Sequence, residues 1–213
     1  MFIKRKKKIK KPNNNLKLGD LIYIDDRSTL NLTAHIVRVV ESGGKMHLRR
    51  FMPNHIMMVI GENPDIDKVE VIQANWAGVN IRPLKLWINH RKVNTVVKRY
   101  KKNFRQKSRE KMHTWALQQL GRAYDIPAAL GILGRYLILR YTKSKLAKWF
   151  MKKKRNPLSS KKRFICSEFV YLIYKQARIR LWKQCHYTNV TPYDEFRNKN
   201  FYRIHKRMNR EYT

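Results

Sequence analysis

The residues in this chain best suited to covalent chemistry are one cysteine and a choice of histidines. Cys166 heads the run Cys166-Ser167-Glu168-Phe169-Val170, which stays apolar as far as Trp182 and reads as a helix. A helix N-terminus presents unpaired N–H groups and partial positive charge, and both favour a thiolate. The same N–H groups can hold an oxyanion forming at an attacked carbonyl. Residues 166, 169 and 173 share one face, which predicts a sulfur turned toward the packed side. Free cysteine is also among the most buried residue types, and a lone one more often only fills a core.

A thiol nucleophile needs a base near neutral pH, and histidine fits that task. The candidates are His35, His47, His55, His90, His113, His186 and His205. His55 opens the most apolar strand-like run, ending at Ile60 and entered through Pro53-Asn54. His35 opens a similar run, Ala34-His35-Ile36-Val37, and competes with it. His47 and His90 sit in polar surroundings. Cys166 and Cys185 are the only cysteines, and no Cys-x-x-Cys or His-x-x-x-His pair accompanies them. The sequence therefore predicts neither a disulfide framework nor a zinc site, and no cofactor.

The elements that must position these groups divide into two kinds. Strand-like runs come first: Leu21 to Ile24, Ala34 to Val40, His55 to Ile60, Val69 to Ala74 and Gly78 to Leu84. They predict an antiparallel unit of four or five strands. Helical patterns follow, over Val96 to Leu120, over Ile126 to Lys154 with Pro127 near its start, and over Cys166 to Trp182. Thr191-Pro192-Tyr193-Asp194 reads as a turn before a short aromatic tail. Strands first and helices second predict an α+β fold.

Charge is the outlier in the composition. Lys and Arg number 49 against 14 Asp and Glu, a formal +35, while apolar residues at 43% suffice for a core. A charge of that size repels itself in a compact chain and predicts an anionic partner: nucleic acid, an anionic membrane surface or a cell-wall polymer. Residues 1–15 read as a flexible polybasic arm. Basic segments near 96–120 and 126–163 add to it. Tyr141, Trp149 and Phe150 lie among the lysines and arginines, where they could stack on bases or enter a headgroup layer. No apolar run follows the arm, so no secretory signal is read. The expected location is cytoplasmic, virion-associated or peripheral to a membrane. Ile126 to Tyr141 is too short to span a bilayer.

In chain order, six segments resemble the circularly permuted papain-like hydrolases. These are the YiiX-like relatives of the NlpC-type cell-wall peptidases and of lecithin retinol acyltransferase. Gly19-Asp20-Leu21-Ile22 is similar to the opening strand, and Asn54 to Gly61 to the histidine strand. Val71-Ile72-Gln73-Ala74, followed by Gly78-Val79 and Pro83-Leu84, is similar to the next strand and its exit. Gly121-Arg122-Ala123-Tyr124-Asp125 is similar to the element before the nucleophile. Cys166 to Val170 is similar to the nucleophile helix, and Thr191 to Phe196 to the closing turn.

The resemblance implies a permuted papain-like (NlpC-type) fold over residues 16–213, with a small β-unit packed on the cysteine helix and basic helical insertions. It implies Cys166 as nucleophile, His55 as base, Gln73 as the group orienting the imidazole, and Tyr124 at the substrate site. Many relatives are expected to have an acidic residue where this chain has Gln73. A glutamine can fix the imidazole tautomer but cannot stabilise an imidazolium by charge. Glu70 is out of phase with Gln73 for that role. The activity implied is a cysteine peptidase, amidase or acyl hydrolase working near a polyanion. Two alternatives stand beside it. One is a catalytically weak relative serving as a nucleic-acid-associated structural or virion protein. The other is a lipid acyl hydrolase at a membrane surface.

Overall fold

The computed structural model describes residues 16–27, 51–88, 90, 92–145, 153–181 and 186–206, with the backbone alone at 136, 137, 139, 140 and 206. The predicted arm and the strand over 34–40 lie outside these residues. So do His35, His47, Trp149, Phe150 and Cys185.

Six strands form one sheet: β1 (Leu21–Asp26), β2 (His55–Gly61), β3 (Glu70–Asn75), β4 (Gly78–Pro83), β5 (Val93–Tyr100) and β6 (Phe201–Lys206). Their spatial order is β4-β3-β2-β1-β5-β6, and every pairing is antiparallel. The α-helices that lie wholly within the described residues are α1 (Lys85–Ile88), α2 (Gln106–Leu117), α3 (Ile126–Tyr141), α4 (Cys166–Gln176) and α5 (Pro192–Phe196). This is the expected α+β architecture, a sheet packed on the cysteine-bearing helix.

Alternation along the strands feeds two cores. Leu21, Tyr23, Ile56, Met58, Ile72 and Ala74 face α2 and α4, where they meet Met112, Phe169, Val170 and Ile173. Ile22, Ile24, Met57, Val59 and Val71 face the other way, against Ile66, Leu84, Ile88 and Val93. Strands buried on both faces read as near-continuous apolar runs, and that is how Leu21–Ile24 and Ile56–Ile60 read.

Three expectations are corrected. Val96–Tyr100 is not helical, because it completes β5, pairing with β1 and β6. The helix of that region starts only at Gln106. Two of the basic residues of that region are tied to the fold. Arg99 Nε and Nη2 each donate to buried Asp20 at 2.7 Å, and Lys98 Nζ sits 4.5 Å over the Phe196 ring. The segment from 126 is not one continuous helix: α3 ends at Tyr141 with Thr142 as its C-cap, residues 142–144 are not helical, and Lys145 and Lys153 are helical again. The aromatic tail is an edge strand, since Phe201 to Lys206 pairs with β5. No described helix is long and apolar enough to cross a membrane.

One turn fixes the sheet to the segment that leads into the site. Gly78 has φ +86°, and a Cβ there would lie 2.5 Å from the Arg122 carbonyl oxygen. Its neighbour Val79 donates to that same oxygen at 2.8 Å, and Gly121 N–H donates back to the Val79 carbonyl at 2.9 Å. Gly78→Ala must therefore enter the left-handed region and also push backbone aside. Thermal or denaturant unfolding should show a loss of about 2 kcal/mol or more; a change within 0.5 kcal/mol, the range of ordinary surface substitutions, would refute the assignment.

Candidate active site

Helix α4 begins at Cys166, as the sequence predicts, with Ile165 as a cap residue that offers no side-chain bond. The first turn is held from below: Ser167 Oγ donates to the Val190 carbonyl at 2.6 Å. Cys166 is 5% exposed and belongs to the core beneath α4. Next to it, Glu168 is buried, and that burial pushes its carboxyl up to about 8, so it is largely protonated at neutral pH.

Tyr124 reaches the cysteine through a backbone splice. Residue 124 pairs with Phe164 in a single parallel bridge, flanked by Phe164 N–H to the Ala123 carbonyl (3.2 Å) and Asp125 N–H to the Phe164 carbonyl (3.0 Å). Burial foremost, then the Cys166 and Asp125 charges, push the Tyr124 phenol well above its ordinary value, so it is a neutral hydroxyl. Asp125 caps α3 by accepting from Ala128 N–H at 3.2 Å, and it accepts from Ser160 N–H at 2.7 Å. These bonds hold α3 over the cysteine. Between them lies a small cavity of about 50 Å³, lined by Asn54, Tyr124, Ile132, Leu133, Cys166 and Thr191 among others. Thr191 starts α5 in a capping box with Asp194.

His55 and Gln73 are brought together directly. The ring Nε2 lies 2.6 Å from Gln73 Oε1. Burial first of all lowers the His55 pKa, against the opposing effects of the Gln73 bond and the Asp26 charge, so the imidazole is neutral near pH 7. By pleat alternation the pair shares the phase of Met57 and Val71, the sheet face away from α4, so the structure brings His55 and Gln73 together but does not set them against Cys166. Asn54, on the other phase, borders the cavity with Cys166.

Sequence reasoning missed a third member, Asn80, which stands opposite Gln73 in the β3–β4 register. Gln73 Nε2 donates to Asn80 Oδ1 at 3.2 Å. Asn80 Nδ2 donates to the Gly78 carbonyl at 2.9 Å and to Asn75 Oδ1 at 2.8 Å. Ala77 N–H also donates to that Asn75 oxygen, at 3.0 Å. A backbone carbonyl can only accept and a backbone N–H can only donate, so the far end of the chain sets the polarity of every link. Asn80 must present its oxygen to Gln73, and Gln73 must present its oxygen to His55. The imidazole therefore carries its proton on Nε2 and leaves Nδ1 as the accepting nitrogen. The signal in the sequence was an asparagine in β4 at the position a tight hairpin pairs with Gln73.

Residues 15–128 match the model of a family described as "Permuted papain-like amidase enzyme, YaeF/YiiX, C92 family". The match takes in His55, Gln73, Asn80 and Tyr124, and stops short of Cys166. A crystal structure described as the metalloprotein yiiX from Escherichia coli O157:H7 superposes with a TM-score of 0.58 at 19% identity. The alignment covers 90% of this chain and 97% of that one, and at this identity the likeness shows the fold. No curated protein sequence matches the chain. Among the described residues, no group of three or more His, Cys, Asp or Glu could hold a metal ion.

The relay makes a specific prediction. Asn80→Leu strips Gln73 Nε2 of its acceptor, freeing the amide to turn. Long-range ¹H–¹⁵N spectra of the His55 ring should show Nε2–H as the dominant tautomer in the unaltered chain and a mixture in the variant. An unsatisfied buried amide should also cost about 1–3 kcal/mol of stability. An Nε2–H tautomer that persists unchanged in Asn80→Leu would sink the relay.

Proposed function

The chain belongs to the permuted papain-like amidase family, and we propose that it is itself a working cysteine amidase, with Cys166 as nucleophile, His55 as base and Gln73 as the residue orienting the imidazole. The observation that carries this reading is the 2.6 Å bond from His55 Nε2 to the buried Gln73 oxygen. It supplies a neutral imidazole of one defined tautomer next to Asn54, which shares a cavity with the thiol of the first residue of α4.

The His55 ring lies with Met57 and Val71 on the sheet face away from Cys166. In this reading it turns at the start of β2, past Asn54, so that Nδ1 takes the thiol proton, and the sulfur attacks an amide carbonyl held in the cavity against Tyr124. First-turn N–H groups of α4 receive the oxyanion, with no capping side chain at Ile165 to compete. The imidazolium returns its proton to the leaving amine, which departs and leaves a thioester. Water, deprotonated by the same imidazole, then releases the acid and the free thiol. Gln73 fixes geometry and adds no negative charge, so His55 stays easy to deprotonate.

Cys166→Ala should lower amide hydrolysis by roughly 10⁴-fold or more, and a thiol-directed probe should label Cys166 more slowly in His55→Ala. Unchanged hydrolysis in Cys166→Ala would refute the assignment. Gln73→Glu tests the orienting role through pH. A carboxylate at that place favours the imidazolium and raises the His55 pKa, so the acid limb of kcat/KM should move up by about one unit. A limb that stays in place would remove Gln73 from the site.

One observation favours a membrane-surface form of this activity. Helix α3 lines the cavity with Ile132 and Leu133, while Ile126, Leu130, Ile138 and Tyr141 stand exposed on it, with Lys143 and Lys145 beyond its end. Amphipathic helices with cations at the rim bind anionic bilayers. Co-sedimentation with phosphatidylserine vesicles should fall several-fold in Leu130→Glu/Ile138→Glu; equal binding would remove the membrane form and leave the amidase reading intact.

A further inference from the structure

The far end of α4 opens into a second cavity, of about 430 Å³. Its wall is made by Tyr171 and Lys175 from the helix, by Arg178 and Arg180 just past it, and by His186 and Tyr187. Tyr171 and Lys175 are four residues apart and lie one above the other. No carboxylate is among the described lining residues. The Tyr187 ring stacks on Tyr171 at 5.1 Å and 6°, and on His186 at 4.5 Å and 29°. Tyr187 and His186 keep part of their surface exposed. Lys175 Nζ stands 5.9 Å over the Tyr187 ring, and Arg180 bonds the Tyr171 side chain.

Arg178 is the unusual member. Its φ is 60°, the only positive value on a described residue other than glycine. Ile179 N–H bonds the Tyr174 carbonyl at 3.1 Å and Arg178 N–H bonds Lys175 at 2.9 Å. This closure ends many helices, and its left-handed position is usually glycine. An arginine there accepts strain and puts a cation on the cavity wall.

The field at the cavity is positive. His186 is held below its ordinary pKa by burial, then by Arg155, Arg135 and Lys175. The carboxyl groups felt by these tyrosines are Glu168, at Tyr187, and Glu195, at Tyr171. Neither lines the cavity, and Glu168 is largely uncharged at neutral pH.

We propose that this cavity binds a nucleoside phosphate unit, with its phosphate on Lys175, Arg178 and Arg180 and its base extending the Tyr171–Tyr187–His186 ring stack at His186. Guanidinium forks match phosphate oxygens in pairs. Aromatic rings stack on bases with little regard to sequence. The volume lies in the range of small-ligand sites. Nothing in this binding uses Cys166, so it stands or falls apart from the amidase reading.

The test uses the full chain, a ten-nucleotide single-stranded DNA read by fluorescence anisotropy across a salt series, and adenosine monophosphate as competitor. Lys175→Ala/Arg178→Gly/Arg180→Ala should bind the strand about tenfold more weakly, with a log–log salt slope smaller by about 2. Arg178→Gly alone gives the turn its preferred residue, so its Tm should hold or rise while affinity falls. Lys101→Ala/Lys102→Ala/Lys107→Ala removes equal charge from exposed positions elsewhere, and should weaken binding less than about twofold. Adenosine monophosphate that displaces the strand points to a free nucleotide as the ligand; binding confined to the strand points to nucleic acid, and both support the site. Equal losses in the two triple variants would overturn it. So would an abasic strand that binds as tightly as the normal one, or a triple variant that loses phosphatidylserine vesicles but keeps the strand.

Discussion

A buried primary amide has two donors and an accepting oxygen to satisfy, and Gln73 meets that demand in the middle of a sheet that is apolar on both faces. It is 1% exposed. In such a place an unpaired amide is costly, so its partners are fixed as firmly as a packed side chain. His55 takes the oxygen and Asn80 takes a donor. The hairpin carbonyl of Gly78 and the N–H of Ala77 then anchor the row. The order of the site starts in two backbone groups of a turn and ends in the tautomer of an imidazole. Gly78 is thus tied in twice, once through its carbonyl and once through the close approach of Arg122 that allows no Cβ.

The same sheet explains how so basic a chain builds a core. Part of its charge is internal to the fold. Asp20, 1% exposed, accepts both Arg99 nitrogens and the Lys17 N–H. Lys98 lies over Phe196, where burial and Arg203 lower its pKa. These cations brace β5 against β1 and α5. Surface pairs, such as Arg109 with Glu62 at 3.5 Å, contribute little by comparison.

Most of what positions the site was legible because it follows from local pattern. The runs Leu21–Ile24, Ile56–Ile60 and Val71–Ala74 are β-branched or apolar and bounded by turns, and they form β1, β2 and β3. The helix at Cys166 was legible from its apolar run, and Tyr124 from the ordered resemblance. What failed depended on tertiary context. In Val93–Tyr100 the basic residues outweighed the Val96-Val97 pair, because the carboxylate that receives Arg99 lies 79 residues away in sequence. Phe201–Lys206 has no strand character of its own beyond mixed aromatics and cations, and pairs because β5 leaves an edge to fill. Asn80 needed a register, which no single strand displays.

Helix α4 places opposite demands on its two ends. Its N-terminus carries partial positive charge and needs nothing added to favour a thiolate or an oxyanion. Its C-terminus carries partial negative charge, which repels a phosphate. An anion can be held there only where side-chain cations outweigh the exposed carbonyls. Lys175 in the last turn and Arg178 immediately after it stand where that compensation is strongest. Glycine would satisfy the backbone at 178 and leave the carbonyl field uncorrected. The strained arginine is therefore intelligible as electrostatics taking precedence over conformation. The neutral state of Glu168, in the first turn, keeps a carboxylate's charge away from the thiol end of the helix.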